Sequence, residues 1–179
     1  MKHWLAKMAG GGTAPPRLPL KELFWSGLGA FCGIGLVAWL HQYWLTPHDL
    51  VLIIGSFGAS AVLLYGVWNS PLAQPRNLVG GHVLSGLIGV AVYQGLGAIP
   101  WLAAALAVSL AIMAMQWTRT THPPGGATAL IAVIGSDQLH ALGYGYALVP
   151  AGLGAVLMLL VAVVINNMAP SRRYPEYWW

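Results

Sequence analysis

The sequence has very little charge. Asp, Glu, Lys and Arg make up 7% of the 179 residues, against 58% hydrophobic residues. A soluble domain carries about 25% charged residues, and so sparse a supply cannot cover a water-facing surface. The chain therefore reads as one polytopic membrane domain, with a mean hydropathy of +0.68. Acids are scarcer still: there are 4 Asp and Glu in all, and none lies inside an apolar run. That argues against proton coupling through a buried carboxylate. Cys32 is the single cysteine, so no disulfide can form within the chain and the redox compartment stays open. It reads as a small apolar residue of the first span. Residues 1–22 contain no serine and no compact apolar core before a small-residue cleavage site, so they read as a loose basic tail rather than a signal peptide.

The 8 Lys and Arg are scattered near the ends of apolar runs, as orienting charges are. The net charge of +4 accordingly points to the lipid bilayer as partner and not to nucleic acid. Six apolar segments follow the basic tail: 24–44, 50–68, 79–99, 101–117, 125–135 and 144–165. The second would rise ~28 Å if helical throughout, enough to span, whereas the fifth reaches only ~17 Å. Trp25, Trp39, Trp44, Trp68, Trp101 and Trp117 sit at or near the edges of these runs, where interfacial aromatics belong. If all six segments cross, every Lys and Arg falls on one side, and His48-Asp49 with Ser136-Asp137-Gln138 fall on the other. The positive-inside rule then places both termini in the cytoplasm, with a bacterial plasma membrane as the expected setting. The expected organisation is a tail (1–22), a transmembrane domain (23–167) and a second tail (168–179).

An internal repeat organises the middle. Gly58-Ala59-Ser60-Ala61-Val62-Leu63 aligns with Gly126-Ala127-Thr128-Ala129-Leu130-Ile131, and at the same offset Gly86 falls on Gly154. Each copy lies in the middle segment of a three-segment half, about 23–98 and 99–167. Three spans per half force the two copies into opposite orientations. The expected fold is thus an all-α membrane bundle of two inverted three-helix repeats with broken or short middle helices. Such repeats commonly hold a substrate near the midplane. Each repeat copy is preceded by a break, Gly55-Ser56-Phe57-Gly58 in the first half and Pro123-Pro124-Gly125-Gly126 in the second. The second break follows Thr121-His122, and adjacent prolines cannot continue a helix. Two half-helix N-termini facing each other would attract a small anion through unpaired N–H groups and the helix dipole. Ser56, Ser60, Thr121 and Thr128 would add hydroxyls, and His122 an N–H or a charge. The expected substrate site is Ser56, Gly58, Ser60, Thr121, His122, Pro123, Pro124, Gly125, Gly126 and Thr128.

A second polar cluster runs from Ser70 through Gln74, Arg76 and Asn77 to Gly80-Gly81-His82. It reads either as a turn with an orienting charge or as a gate or vestibule in which Arg76 draws in anions. His82 reads as an interfacial or packing residue, and His41, His48 and His140 lie at solvated segment ends. His82 and His122 have no carboxylate or cysteine beside them, so neither a metal nor a cofactor is expected. Two other classes stay open: a membrane enzyme or metal protein using His82 and His122, and a structural subunit. Gly27, Gly29, Gly33 and Gly35 predict close helix packing within or between protomers, and a homo-oligomer is expected.

The run from Thr121 to Leu130, containing His122-Pro123-Pro124-Gly125-Gly126, resembles the signature of the HPP family of integral membrane proteins. Gly58 to Leu63 and Pro71 to His82 resemble that family's first-half motifs. The resemblance covers about 23–165. It implies four spans, as the family is usually described, which would follow if two short broken helices were counted as loops. It also implies nitrite as the solute, since plastid and cyanobacterial members are implicated in nitrite transport. Some members carry appended regulatory domains of the cystathionine-β-synthase type; none is recognised in this chain.

Overall fold

The computed structural model describes residues 4, 6–8, 12–46 and 51–179. It is 74% helical, with no strand among the described residues. Helix α1, Leu20–Leu40, continues as a π-helical turn, His41–Leu45. Helix α2, Ser56–Ala61, continues as a second such turn, Val62–Gly66. Then come α3 (Pro75–Leu96), α4 (Pro100–Trp117), α5 (Pro123–Ile134), the short α6 (Asp137–Ala141) and α7 (Leu153–Met168). A kinked turn, Ala147–Gly152, leads into α7. Proline occupies the first turn of α3, α4 and α5, where its fixed φ suits the helix and its missing N–H costs nothing.

By length and composition 4 helices can cross a bilayer: Leu20–Leu45, Pro75–Leu96, Pro100–Trp117 and Ala147–Met168. The stretches Ser56–Gly66 and Pro123–Ile134 are apolar but shorter. The second and fifth apolar segments therefore hold short helices. This corrects the reading of 50–68 as a segment long enough to span. Val51 to Ile54 is non-helical, and the helix that follows, 56–66, rises only about 16 Å. It begins at Ser56, inside the expected break of Gly55 to Gly58. His48 and Asp49, expected on the outer side, lie outside the described residues.

Helix α1 packs on α7 and on the second turn of α2, while α3, α4 and α5 pack on one another. Helix α2 touches α5 where the two groups meet. The α3–α4–α5 side is closed by an alanine ladder, Ala103, Ala107 and Ala111, with Ala129 and Val133. The other side closes around Tyr65 and Phe57. Tyr65 lies in a groove on α1, where a Cβ added at Gly33 would stand 2.0 Å from its Oη and one at Gly29 2.5 Å from its ring. Its hydroxyl donates to the Met158 carbonyl at 3.1 Å. Gly27 and Gly35 meet nothing within 4 Å. Of the four glycines, two therefore pack inside the protomer.

Both tails are partly built into the bundle. Helix α1 starts at Leu20, inside 1–22. In the second tail Arg172 and Tyr174 are buried. Arg172 pairs with Glu22 at 2.8 Å and donates to Ser26, to Asn166 and to the carbonyls of Glu22 and Tyr65. Ser171 also donates to the Glu22 carboxylate. Tyr174 donates to the Ala73 carbonyl at 2.8 Å, and burial raises its phenol above its ordinary value, which keeps that proton in place.

A leucine at residue 33 should displace Tyr65. Gly33→Leu is expected to cost about 1–3 kcal/mol through overpacking, whereas Gly35→Leu should stay within about 0.5 kcal/mol. Thermal unfolding of the two purified variants in the same detergent measures the difference.

Candidate functional site

Five polar side chains from α2, α3 and the start of α5 meet in the interior. Each segment brings its own in for a local reason. On α3, Gly81 lets the helix approach the chain ahead of α5: a Cβ there would stand 2.6 Å from the His122 Cβ. His82 follows and points at α2 and α5. His122 precedes α5 in an extended conformation (φ −136, ψ 104), as a residue before proline must. Ser56 and Ser60 are one turn apart on α2, and Thr128 lies on the inner face of α5.

The five are 0–1% exposed and form one hydrogen-bonded chain. Thr128 Oγ1 lies 3.0 Å from Ser56 Oγ and 2.7 Å from His82 Nδ1. Ser60 Oγ lies 2.8 Å from His82 Nε2 and 2.9 Å from His122 Nε2. His122 Nδ1 lies 2.7 Å from the Leu72 carbonyl oxygen. Phe57 meets the His82 ring edge-on with centroids 5.3 Å apart, and the two imidazole centroids are 5.1 Å apart. Tyr146 donates to the Thr128 carbonyl at 2.9 Å and steadies α5. Among the described residues no carboxylate touches the cluster.

The proton positions follow from the partners. A carbonyl only accepts, so His122 carries its proton on Nδ1. In neutral His122, Nε2 is then an acceptor and takes the Ser60 proton. Ser60, having given its proton, accepts from His82 Nε2–H. This leaves His82 Nδ1 bare to accept from Thr128. The Leu72 carbonyl thus sets the direction as far as His82, while Thr128 can also turn its proton to Ser56 Oγ or the Pro124 carbonyl, and Ser60 its own to the Ser56 carbonyl.

The other expected site residues are distributed as follows. Pro124 and Gly125 are buried beside the cluster, with the Pro124 carbonyl 3.3 Å from Thr128 Oγ1. Pro123 and Pro124 carry no N–H, and the Gly125 N–H donates to the His122 carbonyl at 2.8 Å. The first donors of α5 are therefore absent or spent, and side chains supply most of the polar groups here. Thr121, Pro123 and Gly126 face an outer groove with Val108 and Ala127, and Gly58 faces another with Ile34 and Ile53. The structure does not bring these four into the cluster. Ser85 does come close, one turn beyond His82: its buried Oγ has no partner and stands 2.8 Å from where a Cβ on Gly125 would be.

The expected gate residues divide. Gln74 donates to the Trp68 and Ser70 carbonyls and accepts from the Glu176 N–H. Arg76 donates to the Thr118 carbonyl at 2.7 Å and Asn77 to the Thr121 carbonyl at 2.9 Å. These two hold the non-helical chain that leads to His122. His82 stands apart from them, at the centre of the cluster; of its two expected readings, interfacial or packing, its full burial rules out the interfacial one. Sequence reasoning missed Ser85 and Tyr146, whose roles come from packing between distant segments. A signal did exist for His82, since a histidine three residues past the start of the apolar run 79–99 needs a buried partner.

Helices of membrane length around a sealed polar cluster define a polytopic α-helical integral membrane protein. The chain belongs to the HPP transmembrane family: the family described as HPP, transmembrane region, matches residues 15–175. It is 45% identical over 180 residues to one transmembrane protein of Dictyostelium discoideum, covering 99% of this chain and 58% of that protein. It is 47% identical over 181 residues to a second from the same organism, covering 99% of this chain and 62% of that protein. The chain thus spans about three fifths of the length of these relatives. No solved structure matches.

Removing the Thr128 hydroxyl leaves His82 Nδ1 buried without a donor. Thr128→Val should cost about 1–3 kcal/mol and Thr128→Ser much less, read as the shift in thermal unfolding of the two variants.

Proposed function

We propose that the protein is a membrane transporter or channel for a small anion, nitrite foremost, which passes through the buried cluster where the two half-helices meet. The observation that carries this reading is the fate of the repeat. Its hydroxyl position is Ser60 in one half and Thr128 in the other, and the two flank the same imidazole at 2.8 and 2.7 Å. Polar side chains inside a membrane protein are costly and mark solute pathways by default. The cluster offers hydroxyl and imidazole donors without a fixed negative charge, which suits an anion. Ser85 adds a hydroxyl with no partner to give up. The five bonded side chains form a closed state, and a passing solute would exchange their mutual bonds for bonds to itself.

On this reading all six apolar segments form two inverted halves. The packing supports it in part: exchanging α1 with α4, α2 with α5 and α3 with α7 maps two main contacts onto others, whereas the extensive α3–α5 contact has only a slight α2–α7 counterpart. The α1–α7 contact becomes α4–α3, α1–α2 becomes α4–α5, and α2–α7 becomes α5–α3. Both termini are placed in the cytoplasm by the charge count. Gln74, Arg76 and Asn77 line the inner mouth, where Arg76 draws in anions. The outer grooves beside Pro123 and Gly58 suit contacts between copies in a homo-oligomer, because irregular backbone at membrane depth has to be covered by protein.

The test is nitrite uptake into proteoliposomes. Wild-type protein should carry nitrite well above empty vesicles, and His122→Ala should reduce the rate severely. Absence of flux for any small anion would overturn the proposal.

A further inference from the structure

We infer that the chain Ser56–Thr128–His82–Ser60–His122 is a proton relay, so that passage of solute is coupled to movement of a proton. The inference rests on the transport reading above and supplies the coupling that the lack of intramembrane carboxylates leaves unassigned. Its basis is geometric. Five proton-exchanging groups stand in sequence with every gap between 2.7 and 3.0 Å, each group able both to accept and to donate. The chain ends against a group, the Leu72 carbonyl, that only accepts. Two histidines bonded to their own helix or to solvent would satisfy themselves locally. Here one hydroxyl, Ser60, bridges both Nε2 atoms.

The steps balance. At rest His122 holds Nδ1–H, Ser60 gives its proton to His122 Nε2, His82 Nε2–H gives to Ser60, and Thr128 gives to His82 Nδ1. Thr128 also reaches Ser56 Oγ and the Pro124 carbonyl with its single proton; once that proton has turned to His82 Nδ1 and passed to it, a proton entering through Ser56 adds to the freed Thr128 oxygen. The resulting imidazolium releases its Nε2 proton to Ser60, and Ser60 passes its original proton to His122 Nε2. His122, now an imidazolium, loses its Nδ1 proton at the Leu72 end. One proton has entered and one has left, and no heavy-atom bond has changed. His122 Nδ1 then faces the Leu72 carbonyl without a proton, a repulsive contact that ring rotation or reprotonation must relieve. That reset makes the relay a two-stroke device and not an open wire.

The exit is guarded. Leu72 lies in the turn Pro71–Ala73, which the second tail grips through Tyr174 on the Ala73 carbonyl, Tyr177 on the Pro71 carbonyl and Glu176 N–H on Gln74. A proton can leave His122 only when this turn shifts to admit water. Few other charged or titratable groups face the pair. On α3, Arg76 is turned to the Thr118 carbonyl; ahead of α7, Tyr146 is on the Thr128 carbonyl; in the tail, Glu176 reaches Gln74 through its backbone. Among the described residues α1, α2, α4 and α5 present no charged side chain to the cluster.

Full-length protein in liposomes loaded with a pH-sensitive dye tests this. An inward nitrite gradient should acidify the lumen faster than in empty vesicles, and an imposed pH gradient should drive nitrite accumulation. His82→Gln, which keeps a hydrogen-bonding amide but cannot relay a proton, should lose both effects. Nitrite uptake at equal pH reads the transport proposal separately. Uptake that ignores the pH gradient, or that His82→Gln leaves coupled, overturns the relay and spares the transporter. Absence of nitrite flux overturns the transporter, and the relay then stands only if a potassium diffusion potential drives dye-detected protons that His82→Gln abolishes. Nitrogen-15 resonances of the imidazoles in wild-type protein give a readout independent of any variant's folding. Protons on His122 Nδ1 and His82 Nε2 are expected, and the opposite tautomer at His82 overturns the relay.

Discussion

A polar group placed inside a bilayer protein has to find its partner within the protein, because lipid offers none. Ser60 meets this constraint by standing between two imidazoles, 2.8 Å from His82 and 2.9 Å from His122. Much of the fold follows from that arrangement. Gly81 is small so that α3 can bring His82 close to His122. Pro123 holds His122 extended, with its ring turned inward and its Nδ1 on the Leu72 carbonyl. Helices α2 and α5 stop short of spanning length, and their hydroxyls, Ser60 and Thr128, meet at the two nitrogens of His82. The surrounding ladder of alanine and glycine lets all these backbones come near.

Part of this was legible in the sequence, for physical reasons that can be named. Membrane character and the all-helical class follow from charge content and from the length of apolar runs, which need no knowledge of partners distant in the chain. The two short middle helices were visible because proline and glycine break helices wherever they occur. Ser60 and Thr128 stood out because they share a position in a repeat. The first break, read over Gly55 to Gly58, is shorter than expected: Gly55 is the boundary, and Ser56, Phe57 and Gly58 are already helical because a glycine can sit inside a helix turn. His82 was undervalued for a different reason. Its partners lie 22, 40 and 46 residues away along the chain, on α2, at the start of α5 and on α5, and no local pattern records them. Tyr146 and Ser85 were invisible on the same grounds.

The N-terminal amides of α5 illustrate how local chemistry can redirect a general expectation. Helix starts offer free N–H groups, which makes them anion sites by default. Two prolines remove the first donors, and Gly125 closes back on His122. The dipole of the short helix remains, but the groups that present hydrogen to a visitor are side chains, set by rotamer and not by backbone. The cluster can therefore be rearranged by turning a hydroxyl or a ring, motions far smaller than the unwinding of a helix.

Arg172 gives the fold a dependence on time. It is bonded to Glu22 near the start of α1, 150 residues earlier, and to the Tyr65 carbonyl, 107 residues earlier. During synthesis the first hairpin enters the membrane long before its arginine exists. Until then the first and last spanning helices have no polar tie at that end, and the carbonyl that ends α2 waits for its donor. Insertion can proceed segment by segment from the ribosome. Final closure cannot, and it belongs to the moment when residues 168–179 have emerged and Arg172 reaches Glu22 and the Tyr65 carbonyl.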